Sequence, residues 1–259
     1  MIDAHAHLDD RRFAADVDAV IDRALASGID RILSCGGDVS SSEANVALAR
    51  RCGSLRAAVG VHPHRAAEWS AETERAIERL SRSPGVVAIG EIGIDLSGRS
   101  APRDRQETAF LAQLALARRL DLPVVVHVRD AGAEARALID LAGGARGMIH
   151  CYSESPADVT AWLERGLYIS FAGIATYPGN ARLLDAARLV PRDRILVETD
   201  APYLQPQSRR RERRNEPAFV VETLRAIADA RGDDPGAFGD QIATNAAALF
   251  GPRWSTGTA

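Results

Sequence analysis

Lysine is absent from this chain, because all 32 of its basic residues are arginine. Several kinds of catalysis need a lysine amine, among them Schiff-base chemistry, pyridoxal phosphate chemistry and phosphate binding by a Walker A loop. A carboxylated lysine that bridges two metal ions also requires lysine. The sequence therefore excludes these classes of active site.

Cysteine and long apolar runs are also scarce. The three cysteines, Cys35, Cys52 and Cys151, are an odd number without CxxC spacing, so neither a disulfide framework nor a zinc knuckle is expected. The N-terminus has no basic segment followed by an apolar stretch, and no run reaches the roughly 18 apolar residues of a membrane span. These features predict a cytoplasmic protein, in a reducing compartment, that has no membrane partner.

Strong charge of one sign is likewise lacking, since the formal net charge is −3 at pH 7. No global positive field indicates nucleic-acid binding, so such a role would need a local basic patch. The chain has 259 residues, of which 46% are hydrophobic and 26% are charged, enough for a sizeable core and a water-exposed surface. We expect one large domain or at most two.

Short β-branched runs alternate with longer amphipathic segments from end to end, which is the pattern of repeated βαβ units. Eight runs are predicted to be strands, at residues 2–7, 31–35, 57–62, 86–91, 123–127, 147–151, 167–171 and 195–200. A doubly wound open sheet shows the same alternation, but eight consecutive units in about 250 residues favour a closed α/β barrel of the (β/α)8 TIM type. No linker splits the chain, so we predict a single domain over residues 1–251 and a tail over residues 252–259.

Apolar residues between the strands repeat at intervals of three and four, as they do in amphipathic helices. One such series covers residues 17–25, and Gly28 is predicted to end this helix. Asn215 precedes Glu-Pro and is predicted to cap the start of a later helix. A last helix is predicted near residues 239–250.

Six histidines are predicted at or just past the C-terminal ends of strands: His5, His7, His62, His64, His127 and His150. The first two are two residues apart on a strand, so their side chains project from the same face and can reach one cation. Glu91 and Asp200 are predicted to close two further strands. In a TIM barrel, active sites are built at this C-terminal rim.

Each of these side chains could instead be a buried, hydrogen-bonded polar group. Burying so many carboxylates and imidazoles together would be costly, however, unless cations offset the cost. Four imidazoles and two carboxylates suit two divalent ions roughly 3.5–4 Å apart that share a bridging carboxylate and a water or hydroxide. Because the chain has no lysine to carboxylate, we expect Glu91 to be the bridge.

Several motifs resemble those of the TatD-like metal-dependent deoxyribonucleases, a family within the metal-dependent hydrolase superfamily. The matching segments are residues 2–9 (IDAHAHLD), 59–64 (VGVHPH), 88–95 (AIGEIGID), 122–129 (LPVVVHVR) and 197–204 (VETDAPYL). Residues 214–217 and 244–251 resemble the family as well, so the likeness runs nearly from end to end. The resemblance implies a TIM-barrel hydrolase that acts on ester bonds.

The resemblance also implies roles for individual residues. It gives as ligands of two divalent metal ions His5, His7, Glu91, His127, His150 and Asp200. Glu91 would be shared by both ions. His5, His7 and Asp200 would hold one ion with it, and His127 and His150 would hold the other. Asp200 would also orient or deprotonate the attacking water, which makes it and Glu91 the catalytic residues. Imidazole-rich ligation suits Zn, Mn or Fe, whereas the resemblance and phosphate chemistry favour Mg or Mn.

The main functional hypothesis is an exonuclease-type deoxyribonuclease that acts on single-stranded ends of DNA or oligonucleotides. His64 and Arg129 are candidate substrate-binding residues, as is the arginine-rich loop at residues 209–214 (RRRERR). Each has an ordinary alternative: a loop histidine, a structural ion pair and a solvated charged loop. Residues 152–154 (YSE) and 96–99 (LSGR) depart from the family pattern near the rim, which affects substrate preference.

Two other functions fit the same predicted site. The first is hydrolysis of a carbonyl substrate, such as a cyclic amide, a lactone or an aminoacyl ester on tRNA, because a fold does not fix the substrate. The second is a non-catalytic metal-binding protein that keeps the site for stability. The complete ligand set favours an enzyme, and the arginine-rich loop favours phosphates.

Overall fold

The computed structural model describes residues 1–98 and 100–255, so Arg99 and the end of the predicted tail, residues 256–259, lie outside the described residues. Eight parallel strands follow one another around a single sheet in chain order. They are β1 (Ile2–Ala6), β2 (Arg31–Cys35), β3 (Leu55–Val59), β4 (Val86–Asp95), β5 (Val124–Arg129), β6 (Gly147–Ile149), β7 (Tyr168–Phe171) and β8 (Ile195–Val197). Each predicted strand is confirmed, with ends that shift by a few residues.

The chain just past β8 returns to the end of β1. The Asp200 N–H donates to the His5 carbonyl at 3.0 Å, and the His7 N–H donates to the Ala201 carbonyl at 2.7 Å. Together with the consecutive strand order, these hydrogen bonds give the nearly closed TIM barrel that the sequence predicts, and not an open doubly wound sheet.

Helices alternate with the strands and cover the outside of the barrel. They are α1 (Val17–Ala26), α2 (Val39–Arg51), α3 (Ala71–Ser81), α4 (Arg103–Arg119), α5 (Gly132–Leu141), α6 (Val159–Leu163), α7 (Ala181–Leu189), α8 (Val220–Arg231), α9 (Pro235–Phe250) and α10 (Pro252–Ser255). The strands are buried on both faces, as expected for a parallel sheet that fills its own interior and carries helices outside. In the described part of the chain, no helix is both long and apolar enough to cross a bilayer.

The helix ends test two predictions from local sequence. Gly28 ends α1 as predicted, since its φ is +81° and its N–H donates to the Leu25 carbonyl at 3.0 Å. The prediction that Asn215 caps a helix is wrong, because α8 begins at Val220 after a 3₁₀ turn at Pro217–Phe219. The side-chain amide of Asn215 instead donates to the carbonyls of Thr199 at 2.8 Å and Tyr203 at 2.7 Å. Asn215 therefore fixes the loop that follows β8.

Strand β4 is the longest and the least regular. The prediction that Glu91 closes this strand is wrong, because β4 continues to Asp95. Ile89 and Ile92 pair with β5 residues that are only two apart, so β4 contains a bulge at residues 90–91. Such a bulge re-aims a side chain, and here the Glu91 N–H donates to the carbonyl of Gly36 at 2.8 Å.

Close packing of β4 against β5 requires glycine at one position. Gly93 has a φ of +147°, and a Cβ atom there would lie 1.9 Å from the His127 carbonyl oxygen. A larger residue would separate the two strands at the point where they carry Glu91 and His127. The glycine therefore keeps these two side chains within contact distance.

Part of the predicted tail packs against the barrel. Trp254 of α10 is 3% exposed, and its ring stacks on Phe250 at a centroid distance of 4.9 Å. Arg56, which is fully buried in β3, donates from Nε to the Arg253 carbonyl at 2.7 Å. Arg31 in β2 donates from Nε to the Trp254 carbonyl at 3.2 Å. Helix α10 thus covers the N-terminal ends of β2 and β3, opposite the rim.

Replacing Trp254 with alanine is expected to lower the free energy of unfolding by about 3 kcal/mol, because a buried aromatic side chain is lost and a cavity remains. Leu141→Ala is the control, since Leu141 is 74% exposed. That substitution should change stability by less than about 0.5 kcal/mol. Urea unfolding followed by circular dichroism measures both, and equal small changes would show that α10 does not stabilise the barrel.

Candidate metal centre and active site

The barrel brings all the histidines and carboxylates predicted for the site to its C-terminal rim. His5 and His127 lie within strands, whereas His7 and His150 directly follow β1 and β6. Asp200 lies three residues past β8, and His62 and His64 lie in the loop after β3. Glu91 projects from the bulge of β4 and is only 2% exposed. The predicted convergence on one rim is therefore present.

Glu91 lies between two groups of imidazoles. Its Oε2 atom is 3.4 Å from both His5 Nε2 and His7 Nε2. Its Oε1 atom is 2.9 Å from both His127 Nδ1 and His150 Nε2. Each carboxylate oxygen thus faces its own pair of histidines.

Asp200 completes the group on the Oε2 side of Glu91. Its Oδ1 atom is 3.5 Å from His5 Nε2 and 3.4 Å from His7 Nε2. Three sets of residues in the described chain bring ligand atoms within 4.8 Å of one another: His5 with His7 and Asp200, His5 with Glu91 and His150, and His62 with Glu91 and His127. Each set is large enough to bind a metal ion.

Hydrogen bonds on the far side of three rings fix which nitrogen carries a proton. The acceptors are the Cys35 carbonyl, 3.0 Å from His7 Nδ1, the Asp95 carboxylate, 3.2 Å from His127 Nε2, and the Glu198 carboxylate, 3.1 Å from His150 Nδ1. Because an ionised carboxylate or a carbonyl can only accept, these ring nitrogens donate. In the neutral rings the opposite nitrogens carry the lone pairs that a metal ion would bind. Without an ion, a second proton on the ring lets His127 Nδ1 donate to Glu91 Oε1 at 2.9 Å.

The facing lone pairs make the cluster suitable for a divalent cation. His127 Nδ1 and His150 Nε2 are 3.2 Å apart, and two lone pairs at that distance repel unless a proton or a cation lies between them. Two nitrogens that bind one zinc ion at about 2.0–2.1 Å in a tetrahedral site would be about 3.3 Å apart. The separation of His5 Nε2 and His7 Nε2 is similar, at 3.1 Å. The donor set therefore fits metal binding on both sides of Glu91.

His62 has the opposite polarity. The backbone N–H of His64 donates to His62 Nδ1 at 3.1 Å, so the hydrogen of a neutral His62 ring is on Nε2. That atom is 3.2 Å from Glu91 Oε1. Although His62 lies within ligand distance of the cluster, it directs an N–H group and not a lone pair to the centre.

Charge compensation keeps the central carboxylates ionised. Burial opposes ionisation of Glu91, but the imidazoles of His150, His62 and His5 outweigh burial and hold its pKa well below the usual value. Burial likewise disfavours the charged form of His150, yet Glu91 and Glu198 raise its pKa well above the usual value. Protons on the histidines thus balance the carboxylates, and a bound cation would take their place.

The two residues predicted to bind substrate lie at the edge of the cluster. His64 is half exposed, and its Nε2 atom is 3.1 Å from Asp95 Oδ2, the same oxygen that accepts from His127. Arg129 is exposed at the end of β5, where it is the register partner of Asp95. Among residues 1–98 and 100–255, its guanidinium has no ion-pair partner, so the structural ion pair considered for Arg129 is not found there.

The arginine-rich loop divides into structural and unpaired residues. Arg209 pairs with Glu222 at 3.0 Å, and Arg214 pairs with Asp16 at 2.6 Å. Arg210 donates to the hydroxyl of Tyr177 at 2.8 Å. Within the described part of the chain, Arg211 and Arg213 are exposed and have no ion-pair partner. Only part of the run is therefore available to a ligand.

Sequence reasoning missed Asp95 and Glu198, although both lie inside the motifs that suggested the site. Asp95 is 2% exposed and Glu198 is fully buried, which is unusual for carboxylates unless they are hydrogen-bonded. A signal was available for Glu198, because it is two residues before Asp200 and so on the same face of an extended chain. The sequence places His62 at a strand end but does not predict its position 3.2 Å from Glu91 Oε1.

Comparisons with known proteins agree with this geometry. A sequence model of the family described as TatD related DNase matches residues 2–251. A protein of Enterobacter lignolyticus named 3′-5′ ssDNA/RNA exonuclease TatD is 38% identical over 97% of this chain and 99% of its own length. A protein of the same name from Erwinia amylovora is 40% identical over 97% of this chain and 100% of its own length.

Solved structures share the fold. The crystal structure of YjjV, a TatD homologue from Escherichia coli, superposes with a TM-score of 0.91 at 28% identity and covers 96% of this chain and 97% of that one. A TatD family hydrolase from Entamoeba histolytica gives a TM-score of 0.89 at 21% identity, over 97% of this chain and 98% of its own, which supports the fold alone. Taken with the metal-binding geometry of the rim, these similarities show that the chain belongs to the TatD family of metal-dependent hydrolases.

Proposed function

We propose that this protein is a divalent-metal-dependent exonuclease that hydrolyses phosphodiester bonds at single-stranded ends of DNA. The observation that carries the proposal is the two-sided environment of Glu91, whose oxygens each face a pair of histidines. Its relatives are named as 3′-5′ exonucleases of single-stranded DNA and RNA, which favours a phosphodiester over the carbonyl substrates considered above.

The ligands that we assign follow the two sides of Glu91. His5, His7 and Asp200 would hold one ion with Oε2, and His127 and His150 would hold the other with Oε1. Two ions are supported by the separation of these groups onto different carboxylate oxygens. Imidazole nitrogens suit zinc or manganese, whereas phosphate chemistry suits magnesium or manganese.

When bound, such ions would polarise a phosphoryl oxygen and lower the pKa of a water molecule. We assign to Asp200 the acceptance of the proton from the attacking water. Burial opposes ionisation of Asp200, but a hydrogen bond from His7 and the charges of the nearby histidines outweigh burial and lower its pKa. Its side chain is 13% exposed, against 3% for that of Glu91, so water reaches it more readily.

His62 would contribute a hydrogen bond and not a ligand atom. Its Nε2–H points into the cluster beside Glu91 Oε1, where a phosphoryl oxygen of a substrate held by the metal ions could accept the hydrogen bond. A donor fixed in place by the loop stabilises the negative charge that develops on such an oxygen in the transition state. His62 therefore joins Glu91 and Asp200 in the proposed catalytic machinery.

The exposed cations at the rim would bind the phosphates that flank the scissile bond. Arg129 has a guanidinium free for bidentate contact, and Arg211 and Arg213 extend the basic surface along the loop after β8. His64 would add a contact at the edge of the cluster. We also propose that residues 1–251 act as one domain. The cytoplasmic location stays a prediction, with which the three free cysteines are consistent.

Cleavage of DNA tests the proposed activity directly. Protein stripped with a chelator and supplied with Mg²⁺, Mn²⁺ or Zn²⁺ should shorten 5′-labelled single-stranded DNA from its 3′ end. Glu91→Gln should reduce the rate about 100- to 1,000-fold, because the neutral amide cannot hold the charge of the centre. Glu164 is exposed directly after α6, so the control variant Glu164→Gln should retain the wild-type rate. Full activity in Glu91→Gln would contradict the two-metal proposal.

Measured metal affinities distinguish the proposed metal ligands from His62, which is proposed to donate a hydrogen bond. Titration of stripped protein with Mn²⁺ should show that His62→Gln keeps the wild-type affinity, whereas its kcat falls about 100-fold. Glu198→Gln should weaken metal binding about 10- to 100-fold, because His150 loses the negative charge of the acceptor that orients it. If His62→Gln loses an equivalent of bound metal, His62 is a ligand and the assignment of its proton is wrong.

The unpaired arginines should affect substrate binding and not the chemical step. The double substitution of Arg211 and Arg213 by serine should raise KM for an oligonucleotide and weaken the dependence of KM on salt, because fewer counterions are released. The control replaces Arg75 and Arg225, which are exposed on α3 and α8, by serine. Equal changes in KM for both double variants would show that the loop has no special role.

A further inference from the structure

An exposed aromatic ring lies beside the candidate metal centre. The large apolar or aromatic side chains that are well exposed in the described chain are Leu25, Leu141, Leu189 and Tyr203. The three leucines are in the last turns of α1, α5 and α7, which face away from the rim because helices run antiparallel to the strands. Tyr203 alone among these four is at the rim, where its ring centroid is 6.1 Å from that of His7.

The ring of Tyr203 is held from several directions. Its hydroxyl donates to Asp10 Oδ2 at 3.1 Å, and its carbonyl accepts from the Asn215 amide at 2.7 Å. Its backbone N–H donates to the Asp200 carbonyl at 2.8 Å, which ties the ring to a proposed metal ligand. A ring fixed in this way loses little conformational entropy when a ligand packs on it.

Arg12 covers one face of the ring. Its guanidinium carbon is 4.1 Å from the ring centroid, and its Nε and Nη2 atoms each donate to the Asp10 carboxylate at 2.9 Å. The ion pair neutralises the guanidinium and keeps it in place. Tyr203 is nevertheless 45% exposed, so Arg12 leaves a large part of its surface open to a ligand.

The exposed ring of Tyr203 is not part of the core of the described residues, so core packing does not explain its position. Aromatic platforms beside a backbone-binding groove are the usual means of holding single-stranded nucleic acid, because every base has a flat face that can stack. Tyr203 contacts the cluster through His7 and belongs to the same segment after β8 as the unpaired Arg211 and Arg213. Its position therefore suits the base next to the bond being cut.

We infer that the exposed face of Tyr203 is a subsite for the nucleobase of the 3′-terminal nucleotide. The inference rests on the proposed exonuclease function and adds the part of the substrate that is recognised. A base that stacks on Tyr203 must leave its own strand stack and its pairing partner. This subsite therefore selects single-stranded or frayed ends over duplex ends, without selecting among the four bases.

Two oligonucleotides that differ only in the terminal base test the subsite. One is ordinary single-stranded DNA, and the other has an abasic residue at its 3′ terminus. For the metal-loaded wild type, kcat/KM should be about 10-fold higher on the ordinary oligonucleotide, because stacking contributes only when a base is present. For Tyr203→Leu, the ratio of the two kcat/KM values should fall to about one.

Two further variants separate stacking from a structural role. Tyr203→Phe keeps the ring and loses the hydrogen bond to Asp10, so its ratio should stay close to that of the wild type. Leu189→Ala removes an exposed side chain on the opposite end of the barrel and should leave the ratio unchanged. Loss of the ratio in Tyr203→Phe would assign the effect to the hydroxyl and overturn the stacking subsite.

The remaining outcomes also decide the question. If Tyr203→Leu slows cleavage of both oligonucleotides by the same factor, the ring supports the cluster and does not bind a base. Equal rates of the wild type on both oligonucleotides overturn the subsite while leaving the exonuclease function standing. If the wild type cleaves neither oligonucleotide with any of the metals, the proposed function fails and the subsite fails with it.

Discussion

Burial of the Glu91 carboxylate is the constraint on which the rest of the site depends. An isolated carboxylate in the interior of a protein is costly, and this one is 2% exposed. Five histidine nitrogens surround its two oxygens and compensate its charge. The bulge in β4 and the absence of a side chain at Gly93 are what allow the carboxylate to reach those histidines.

A second layer of acceptors divides the histidines by chemistry. Asp95, Glu198 and the carbonyl of Cys35 accept hydrogen bonds from the outer nitrogens of three rings, so in the neutral rings the inner nitrogens carry the lone pairs. His62 is turned the other way by a backbone N–H and presents a proton. Lone pairs suit a cation and a proton suits a substrate oxygen, so neighbouring residues of the same type are fitted to different tasks.

Arginine serves two purposes in a chain that has no lysine. Arg56 and Arg214 are committed to carbonyls or carboxylates that join distant segments of the barrel. Arg129, with Arg211 and Arg213, lies at or near the rim without such partners among the described residues. The net charge of −3 does not reveal this distribution. A polyanionic substrate would interact with the local positive charge beside the cluster and not with the net charge.

The sequence by itself determined the order of eight strands and helices, and it assigned six histidines, Glu91 and Asp200 to one rim. Such patterns repeat every two to four residues, so they can be recognised locally. Only the tertiary structure decided that β4 extends past Glu91, that Asn215 holds a loop and does not cap a helix, and which way the ring of His62 is polarised. These properties depend on strand register and on hydrogen-bond partners that are far away in the chain, and folding alone brings those partners together.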